Sequence, residues 1–313
     1  MVRLLLRRLA ASVPLLLVVC STTFFLAALI PGDLARTILG PNASQDQYLA
    51  LRDQLGLNKP LTERYWAWLT DALHGNLGQS LFNQEPVTSL LDTRLPTTLS
   101  LVVGATILAA VLGVGLGIAS ARSAGMLGRV VDALALVGLA LPNFFLGLLL
   151  VSWFAVSLQL LPATGYVPFT QSPGGWTKSL ILPVVTLALP GVAVVAKQTR
   201  DSMKDVSRQP FVRTLRASGI SRRSITFKHV LRSAAIPVVT VIGLVFVGAL
   251  SGTVLVESVF AMPGLGGLAV QATANHDLPL IQGVVVYFTV IVIAVNVLVD
   301  IAYGALDPRV RVS

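Results

Sequence analysis

The sequence predicts an all-α membrane protein with six transmembrane helices and a small extramembrane segment after the first of them. Of the 313 residues, 54% are hydrophobic and only 12% are charged, and the mean hydropathy is +0.79. Soluble domains are roughly 25% charged, so this composition cannot cover a water-exposed surface, whereas lipid can cover an apolar exterior. Long uncharged stretches recur along the chain, and basic residues concentrate in alternate connections between them.

Charge and metal-binding residue types exclude other classes of protein. Basic cytoplasmic loops commonly give membrane proteins a positive charge such as the +9 found here, so we predict no nucleic-acid partner. Cys20 is the only cysteine, and His74, His229 and His276 are scattered. The sequence therefore predicts neither an internal disulfide nor a metal site.

The first predicted helix is the uncharged run Leu9–Ile30, which follows Arg3, Arg7 and Arg8. A secretory signal has the same order, but its apolar core is about 7–15 residues long. The longer run can span a hydrocarbon core of ~30 Å. We therefore interpret residues 1–30 as the N-terminus and a retained first helix.

Residues 31–95 differ in composition and are predicted to form an extracytoplasmic segment. Two short helices are expected, at 45–55 and 61–73, because Gly56 favours the end of the first and Pro60 precedes the second. The segment contains seven acidic residues: Asp33, Asp46, Asp53, Glu63, Asp71, Glu85 and Asp92.

Five further spans are predicted within a transmembrane core of residues 96–313. Their approximate ranges are 97–119, 133–157, 179–199, 236–257 and 281–303. Residues 236–256 alone contain 13 Leu, Ile, Phe or Val residues and no charge. At roughly −0.3 to −0.6 kcal/mol each, these favour insertion by about 4–8 kcal/mol.

The distribution of basic residues supports six spans with both termini in the cytoplasm. In that orientation the N-terminus, 120–132, 197–235 and the tail are internal, and they hold 17 of the 23 Lys and Arg residues. Cytoplasmic loops characteristically carry this excess. The other six are Arg36, Arg52, Lys59, Arg64, Arg94 and Lys178.

Prolines interrupt two of the predicted spans. Pro142, followed by Asn143, lies within the third, and Pro183 and Pro190 lie within the fourth. A proline inside a helix frees a carbonyl group, which is tolerated at membrane depth against protein or a watery cavity. These four residues are candidates for bends beside a pore or gate, with ordinary packing kinks as the alternative.

Two further patterns concern the spans. Gly113 and Gly117 have the small-xxx-small spacing that permits close helix packing, here most simply within the chain.

Asp132, Glu257 and Asp300 lie near span ends rather than at mid-span. This placement argues against an ion-coupled transporter, which usually holds such groups near the midplane.

The segment Lys197–Arg232 mixes ten basic residues with regularly spaced apolar ones. After Gly219, Ser221 can cap a second short helix. That helix has an apolar face at i, i+3, i+4, i+7 spacing: Phe227, Val230, Leu231 and Ala234. The pair of helices is a candidate docking platform, and a basic segment lying on anionic lipid is the alternative.

Motifs of nucleotide binding and hydrolysis are missing from the sequence. No lysine follows a glycine, so the phosphate loop G-x-x-x-x-G-K-[ST] does not occur. Neither H-E-x-x-H nor G-x-S-x-G occurs. We therefore predict no catalytic residue and no cofactor bound by this chain.

Several segments together carry a family resemblance that runs over essentially the whole chain. They are LGLNKPLTERYWAWL (Leu55–Leu69), GNLGQS (Gly75–Ser80), LPTTLSL (Leu95–Leu101), ALPNFFLG (Ala140–Gly147), FVRTLRASGISRRSITFKHVLRSAAIPVVT (Phe211–Thr240), ESVFAMPGLGGL (Glu257–Leu268) and LDPRVR (Leu306–Arg311). The chain resembles the binding-protein-dependent ABC-importer permeases of the dipeptide, oligopeptide and nickel group.

The resemblance implies a type I-like permease fold in the bacterial cytoplasmic membrane, with a coupling helix in the loop 197–235. The residues implied to meet an ATPase subunit are Thr214, Arg216, Ala217, Ser218, Gly219, Ile220 and Ser221. The general importer motif begins Glu-Ala-Ala, where this chain has Arg213, Thr214 and Leu215. That departure leaves open which side chains dominate the contact.

The resemblance also implies a set of partners. These are a second homologous permease chain, two ABC ATPase subunits that bind ATP and Mg²⁺, and an extracytoplasmic substrate-binding protein. Residues 31–95 and the loops near 158–178 and 258–280 would face the binding protein. The residues assigned to that contact are Glu257, Pro263, Gly264 and Gly266.

The leading hypothesis is therefore a permease subunit that forms half of the translocation pore for short peptides. Relatives in the group also handle nickel chelates, glutathione and other small solutes, so these remain alternatives. A membrane scaffold without transport is a second class of hypothesis. An intramembrane enzyme is a third, and no motif supports it.

Overall fold

The computed structural model describes residues 2–29, 32–40, 42–122 and 126–306. The junction at 30–31, where the predicted first helix and the following segment meet, lies outside the described residues. So do Arg309 and Arg311 of the predicted cytoplasmic tail.

The described residues form helices joined by short connections. In chain order the helices are α1 (Val2–Ala28), α2 (Leu34–Leu39), α3 (Gln45–Gln54), α4 (Leu61–Leu73), α5 (Val87–Arg122), α6 (Met126–Ala140), α7 (Asn143–Leu150), α8 (Pro173–Ser207), α9 (Pro210–Ala217), α10 (Arg222–Ser224), α11 (Leu231–Val259), α12 (Leu265–Ala274) and α13 (Leu278–Leu306). Within these ranges there is no β-strand, only a single bridge between Gln79 and Pro86. The all-α prediction is confirmed for this part of the chain.

Among the described residues, five helical stretches are long and apolar enough to cross a membrane. They are Arg7–Ala28, Val87–Arg122, Pro173–Ser207, Arg222–Val259 and Leu278–Leu306. The last four contain the predicted spans 97–119, 179–199, 236–257 and 281–303 with additional turns, and the first covers the predicted first span up to Ala28. The fourth stretch includes a π-helical turn that joins α10 to α11.

The remaining predicted span, 133–157, is divided in the structure. Helix α6 ends at Ala140, and Pro142 adopts an extended conformation (φ −63°, ψ 139°) before α7 begins at Asn143. A π-helical turn then continues α7 to Ser157. The break follows from proline chemistry, because the ring disfavours a helical conformation of the preceding residue and removes a backbone donor.

The two short helices predicted in the 31–95 segment are present as α3 and α4. The side chain of Ser44 accepts a hydrogen bond from the Gln47 amide, and the Gln47 side chain bonds back to the Ser44 amide. This reciprocal capping fixes the start of α3. Gly56 follows α3 with φ +64°, and Pro60 directly precedes α4.

The chain divides into two compact units. We call Thr98–Met262 with Ala294–Ser313 the core unit, and Val2–Thr97 with Pro263–Ile293 the flanking unit. Residues 263–293 thus group with the N-terminal segments in the flanking unit.

Close backbone approach between α5 and α8 organises the core unit. A Cβ atom added at Gly113 would lie 2.7 Å from Val195 Cβ, and one added at Gly117 would lie 2.5 Å from Thr199 Cβ. No atom lies within 4 Å of the corresponding point at Gly115. The predicted small-residue pair therefore packs within the chain, as expected.

Apolar and polar contacts both stabilise the flanking unit. Leu91, Leu265 and Leu268 belong to one buried cluster that joins α5 and α12. Asp277 is 1% exposed, and its carboxylate accepts hydrogen bonds from the Ser80 hydroxyl and from the Leu81 amide. The loop before α5 is thereby tied to the start of α13.

Candidate functional site

The first of the two predicted short helices is α9, Gly219 forms the joint after it, and the second is the start of the continuous helical stretch Arg222–Val259 rather than a separate short helix. We call residues 210–225 the coupling segment, after the role that the resemblance implies for it. Gly219 has φ +77°, its amide donates to the Arg216 carbonyl (3.1 Å), and the Ile220 amide donates to the Leu215 carbonyl (3.3 Å). These two bonds are the Schellman pattern that ends a helix at a left-handed glycine. The Ser221 hydroxyl then accepts from the Ser224 amide (3.3 Å), as the predicted cap requires.

One side of the coupling segment is open to solvent. Ile220 is half-buried, and the other residues predicted to contact an ATPase are exposed: Thr214, Arg216, Ala217, Ser218, Gly219 and Ser221. Arg213, Arg222 and Arg223 are exposed beside them. The surface is therefore polar and basic, with small side chains next to the turn.

The other side of the coupling segment is anchored in an apolar cluster. Val212 of α9 is fully buried, and Ile225 is 4% exposed. They pack with Met203 and Val206 from the end of α8, and with Val230 and Ala234 at the start of α11. Because interiors are close-packed, a displacement of α9 must carry the ends of both long helices with it.

The apolar face predicted for the second helix is only partly correct. Val230 and Ala234 are buried, but Phe227 is 42% exposed and Ile225 takes its place in the cluster. The cause is the π-helical turn Ile225–Val230, which rotates side chains away from the regular 3.6-residue spacing. The Phe227 ring lies 5.9 Å from the Arg122 guanidinium instead.

A buried arginine joins α6 to α8 in the core unit. The Arg200 side chain is 7% exposed and donates to the Gly128 carbonyl (2.7 Å), to Asp132 Oδ1 (2.6 Å) and to Asp201 Oδ1 (3.0 Å). Lys197 lies 3.0 Å from Asp201. Two basic and two acidic groups thus balance one another. In the sequence Asp132 is recognisable only as an ionisable residue near a span end, since no local pattern pairs residues 68 positions apart.

The predicted bend residues occupy different kinds of site. Pro142 and Asn143 lie at the break between α6 and α7. The Asn143 side chain packs against α11, because a Cβ atom added at Gly252 would lie 2.8 Å from Asn143 Nδ2. Pro183 and Pro190 both lie inside α8, which continues through them. Of these three prolines, Pro142 interrupts its span, whereas α8 continues through Pro183 and Pro190.

The residues assigned to the binding-protein contact are mostly inside the chain. Glu257 is 1% exposed and accepts a 2.7 Å hydrogen bond from the Thr98 hydroxyl. Gly264 and Gly266 are buried, and Pro263 is exposed. Glu257 thus has a partner inside the chain, as a buried carboxylate needs a hydrogen bond. Pro263 is the residue of this set whose side chain is open to contact.

Comparisons with known proteins determine the family. Residues 113–312 match the family described as binding-protein-dependent transport system inner membrane component, and residues 1–102 match the N-terminal part of the same kind of component. The chain belongs to this family. It is therefore a multi-pass inner-membrane permease of an ABC importer, and it works in a membrane complex with other ABC components.

Curated relatives match this permease along nearly its full length. A probable peptide ABC transporter permease of Sinorhizobium fredii is 40% identical over 308 residues, which cover 98% of each chain. A putative peptide transport system permease of Brucella abortus is 40% identical over 312 residues, 99% of each chain. A glutathione transport system permease of Salmonella typhi is 38% identical over 312 residues, again 99% of each chain.

Proposed function

We infer that this permease forms half of the translocation pathway of an ATP-driven importer for short peptides. A second homologous permease chain supplies the other half, two ABC ATPase subunits bind ATP and Mg²⁺, and an extracytoplasmic binding protein delivers the substrate. No catalytic group on this chain is required, because ATP hydrolysis takes place on the partner subunits.

The observation that carries the proposal is the construction of the coupling segment. Its exposed side, Thr214 to Ser221, offers polar groups to a partner, while Val212 and Ile225 anchor its inner side between α8 and α11. A partner that shifts this segment therefore shifts two long helices of the core unit. This is the mechanical link that an ATPase needs to drive a permease.

The transport cycle follows from this link. ATP binding closes the two ATPase subunits together, and the coupling segments of the two permease chains move with them. The permease pair then alternates between inward-open and outward-open states. Such a switch requires that ATP and substrate stabilise the two states unequally.

The proposed topology has six membrane crossings with both termini in the cytoplasm. In this arrangement α6 and α7 together make one crossing, interrupted at Pro142. The coupling segment is then cytoplasmic, as its basic residues favour. The segment containing α2, α3 and α4 is extracytoplasmic and faces the binding protein.

The names of the relatives support a peptide substrate. Two of the three describe peptide transport, and glutathione is itself a tripeptide. Nickel chelates and other small solutes remain alternatives within the same group. Ligand identification on the cognate binding protein distinguishes them, since that protein selects the solute.

Substitutions at Gly219 test the coupling role. Apart from Gly219 and its two chain neighbours, no atom of the described residues lies within 4 Å of a Cβ placed there, so a larger side chain meets no obstacle in this part of the chain. Gly219→Leu should nevertheless strain the left-handed turn by roughly 1–2 kcal/mol and place bulk on the docking surface. We expect normal membrane insertion with peptide uptake reduced at least about tenfold, a factor equivalent to ~1.4 kcal/mol.

The matched control is Gly219→Asn, because asparagine adopts the left-handed conformation more readily. Its uptake should exceed that of the leucine variant at equal amounts of protein in the membrane. Wild-type uptake with stable ATPase association in Gly219→Leu would refute the coupling role. A complex that binds its ATPase but never moves solute in the wild type would point to a scaffold instead.

A further inference from the structure

A cavity in the flanking unit combines cationic and apolar walls. Its volume is about 230 Å³. The polar side chains that line it are Asp33, Arg52, Arg64 and His276, and the apolar residues are Ala27, Ala28, Leu34, Leu57, Leu61 and Leu278. Gly32 completes the wall, where a Cβ atom would overlap the His276 ring.

Within this cavity Asp33 is already engaged. Its carboxylate accepts from the Tyr48 hydroxyl (2.6 Å), and Arg52 Nη1 lies 3.6 Å away. Burial alone would raise the pKa of Asp33, but hydrogen bonds from Tyr48 and from the Ala35 and Arg36 amides, with the Arg52 charge, lower it overall. Asp33 is therefore ionised at neutral pH and neutralises one of the two arginines.

The second arginine leaves a surplus positive charge. Among the described residues no carboxylate lies within 4 Å of the Arg64 guanidinium, and burial lowers the pKa of this group. The Arg64 guanidinium thus has donors available at the cavity, and guanidinium is the side chain best suited to bind phosphate.

The position of the cavity indicates which kind of phosphate-bearing molecule reaches it. Ala27 and Ala28 end the apolar stretch Arg7–Ala28, so the cavity lies at the depth where a membrane-crossing helix meets water. Leu26 and Leu29 are 60% and 74% exposed beside it, and Trp66 of α4 is 62% exposed. Tryptophan and exposed apolar residues are typical of the membrane interface.

We propose that this cavity is a binding site for the phosphate group of an outer-leaflet phospholipid. The Arg64 guanidinium donates to the phosphodiester, and the apolar wall contacts the start of the acyl chains. The lipid then stabilises the packing of α4 against the end of α1, where Tyr65 contacts Phe24 with ring centroids 5.3 Å apart. The assignment to the outer leaflet rests on the proposed topology, but phosphate binding itself does not.

Binding to the delipidated complex in dodecyl maltoside tests the site without measuring transport. The probe is dihexanoylphosphatidylglycerol, a water-soluble phospholipid, with dihexanoylglycerol as the phosphate-free comparison and adduct counting by native mass spectrometry. We expect one phospholipid to bind with preference over dihexanoylglycerol. Arg64→Gln should weaken that binding at least about tenfold, or ~1.4 kcal/mol.

Two control variants keep the result interpretable. Arg64→Lys retains the charge without the planar fork and should weaken binding less than Arg64→Gln. Arg36→Gln removes an exposed arginine that does not line the cavity and should leave binding unchanged. Equal binding by wild type and Arg64→Gln would overturn the proposal. Displacement of the lipid by an equal concentration of inorganic phosphate would overturn the lipid assignment in favour of a soluble anion.

Discussion

Replacement of Gly117 by alanine tests the packing of α5 against α8 most sharply. The new Cβ atom would lie 2.5 Å from Thr199 Cβ and 2.7 Å from the Ala196 carbonyl oxygen, whereas ordinary contacts are 3.4–4 Å. Neither neighbour is the flexible end of a long side chain, so the helices must separate locally. Overpacking of this kind costs about 1–3 kcal/mol.

Gly115→Ala is the matched control, because its Cβ atom meets nothing within 4 Å. Replacing glycine by alanine inside a helix stabilises both variants by the same ~0.5–1 kcal/mol. The difference between their free energies of unfolding therefore isolates the cost of overpacking. We expect Gly117→Ala to be about 1–3 kcal/mol less stable than Gly115→Ala. The assay is reversible unfolding of the purified chain in mixed micelles, followed by tryptophan fluorescence. Equal stability of the two variants would refute the close approach of α5 and α8.

Three other substitutions test polar contacts. Thr98→Val removes the 2.7 Å hydrogen bond to buried Glu257 and should cost about 1–3 kcal/mol in the free energy of unfolding; no change would mean that the bond is absent. Ser80→Ala removes a donor to buried Asp277 and should destabilise the flanking unit by a similar ~1–3 kcal/mol, measured as faster hydrogen exchange in α13. The lowered pKa of Asp33 stabilises the fold above its unfolded value of about 3.9, and that stability is lost as the pH falls through the folded-state pKa. Asp33→Asn should therefore reduce the acid sensitivity of unfolding below about pH 4, and an unaltered pH profile would contradict this origin.

Local patterns in the sequence were sufficient to locate most helices. Uncharged runs indicated the long apolar helices. Gly56 marked the end of α3, and Pro60 marked the start of α4. Gly219 and Ser221 likewise marked the turn in the coupling segment, since a left-handed glycine and a capping serine act through the backbone nearby. These features depend on neighbours a few residues away.

Contacts between distant residues were not predictable from the same patterns. The Arg200–Asp132 ion pair and the Ser80–Asp277 hydrogen bond join groups 68 and 197 positions apart. Glu257 was expected to face a partner, but Thr98 binds it inside the core unit. The π-helical turn before α11 changed which residues are buried, because it departs from the regular helical period.

Site-specific cross-linking from the coupling segment tests the central claim most directly. Ala217 is exposed, and the single native cysteine, Cys20, is 3% exposed, so the parent chain is a suitable unreactive control. The Ala217→Cys chain is affinity-purified in mild detergent, labelled with a short maleimide–diazirine reagent and irradiated, so that the carbene formed inserts into any neighbouring chain, and the products are identified by mass spectrometry. We predict a cross-linked product that contains an ABC ATPase subunit. Recovery of an intact complex in which position 217 never cross-links to the ATPase, or of a solitary chain under conditions that preserve other ABC complexes, would contradict the account.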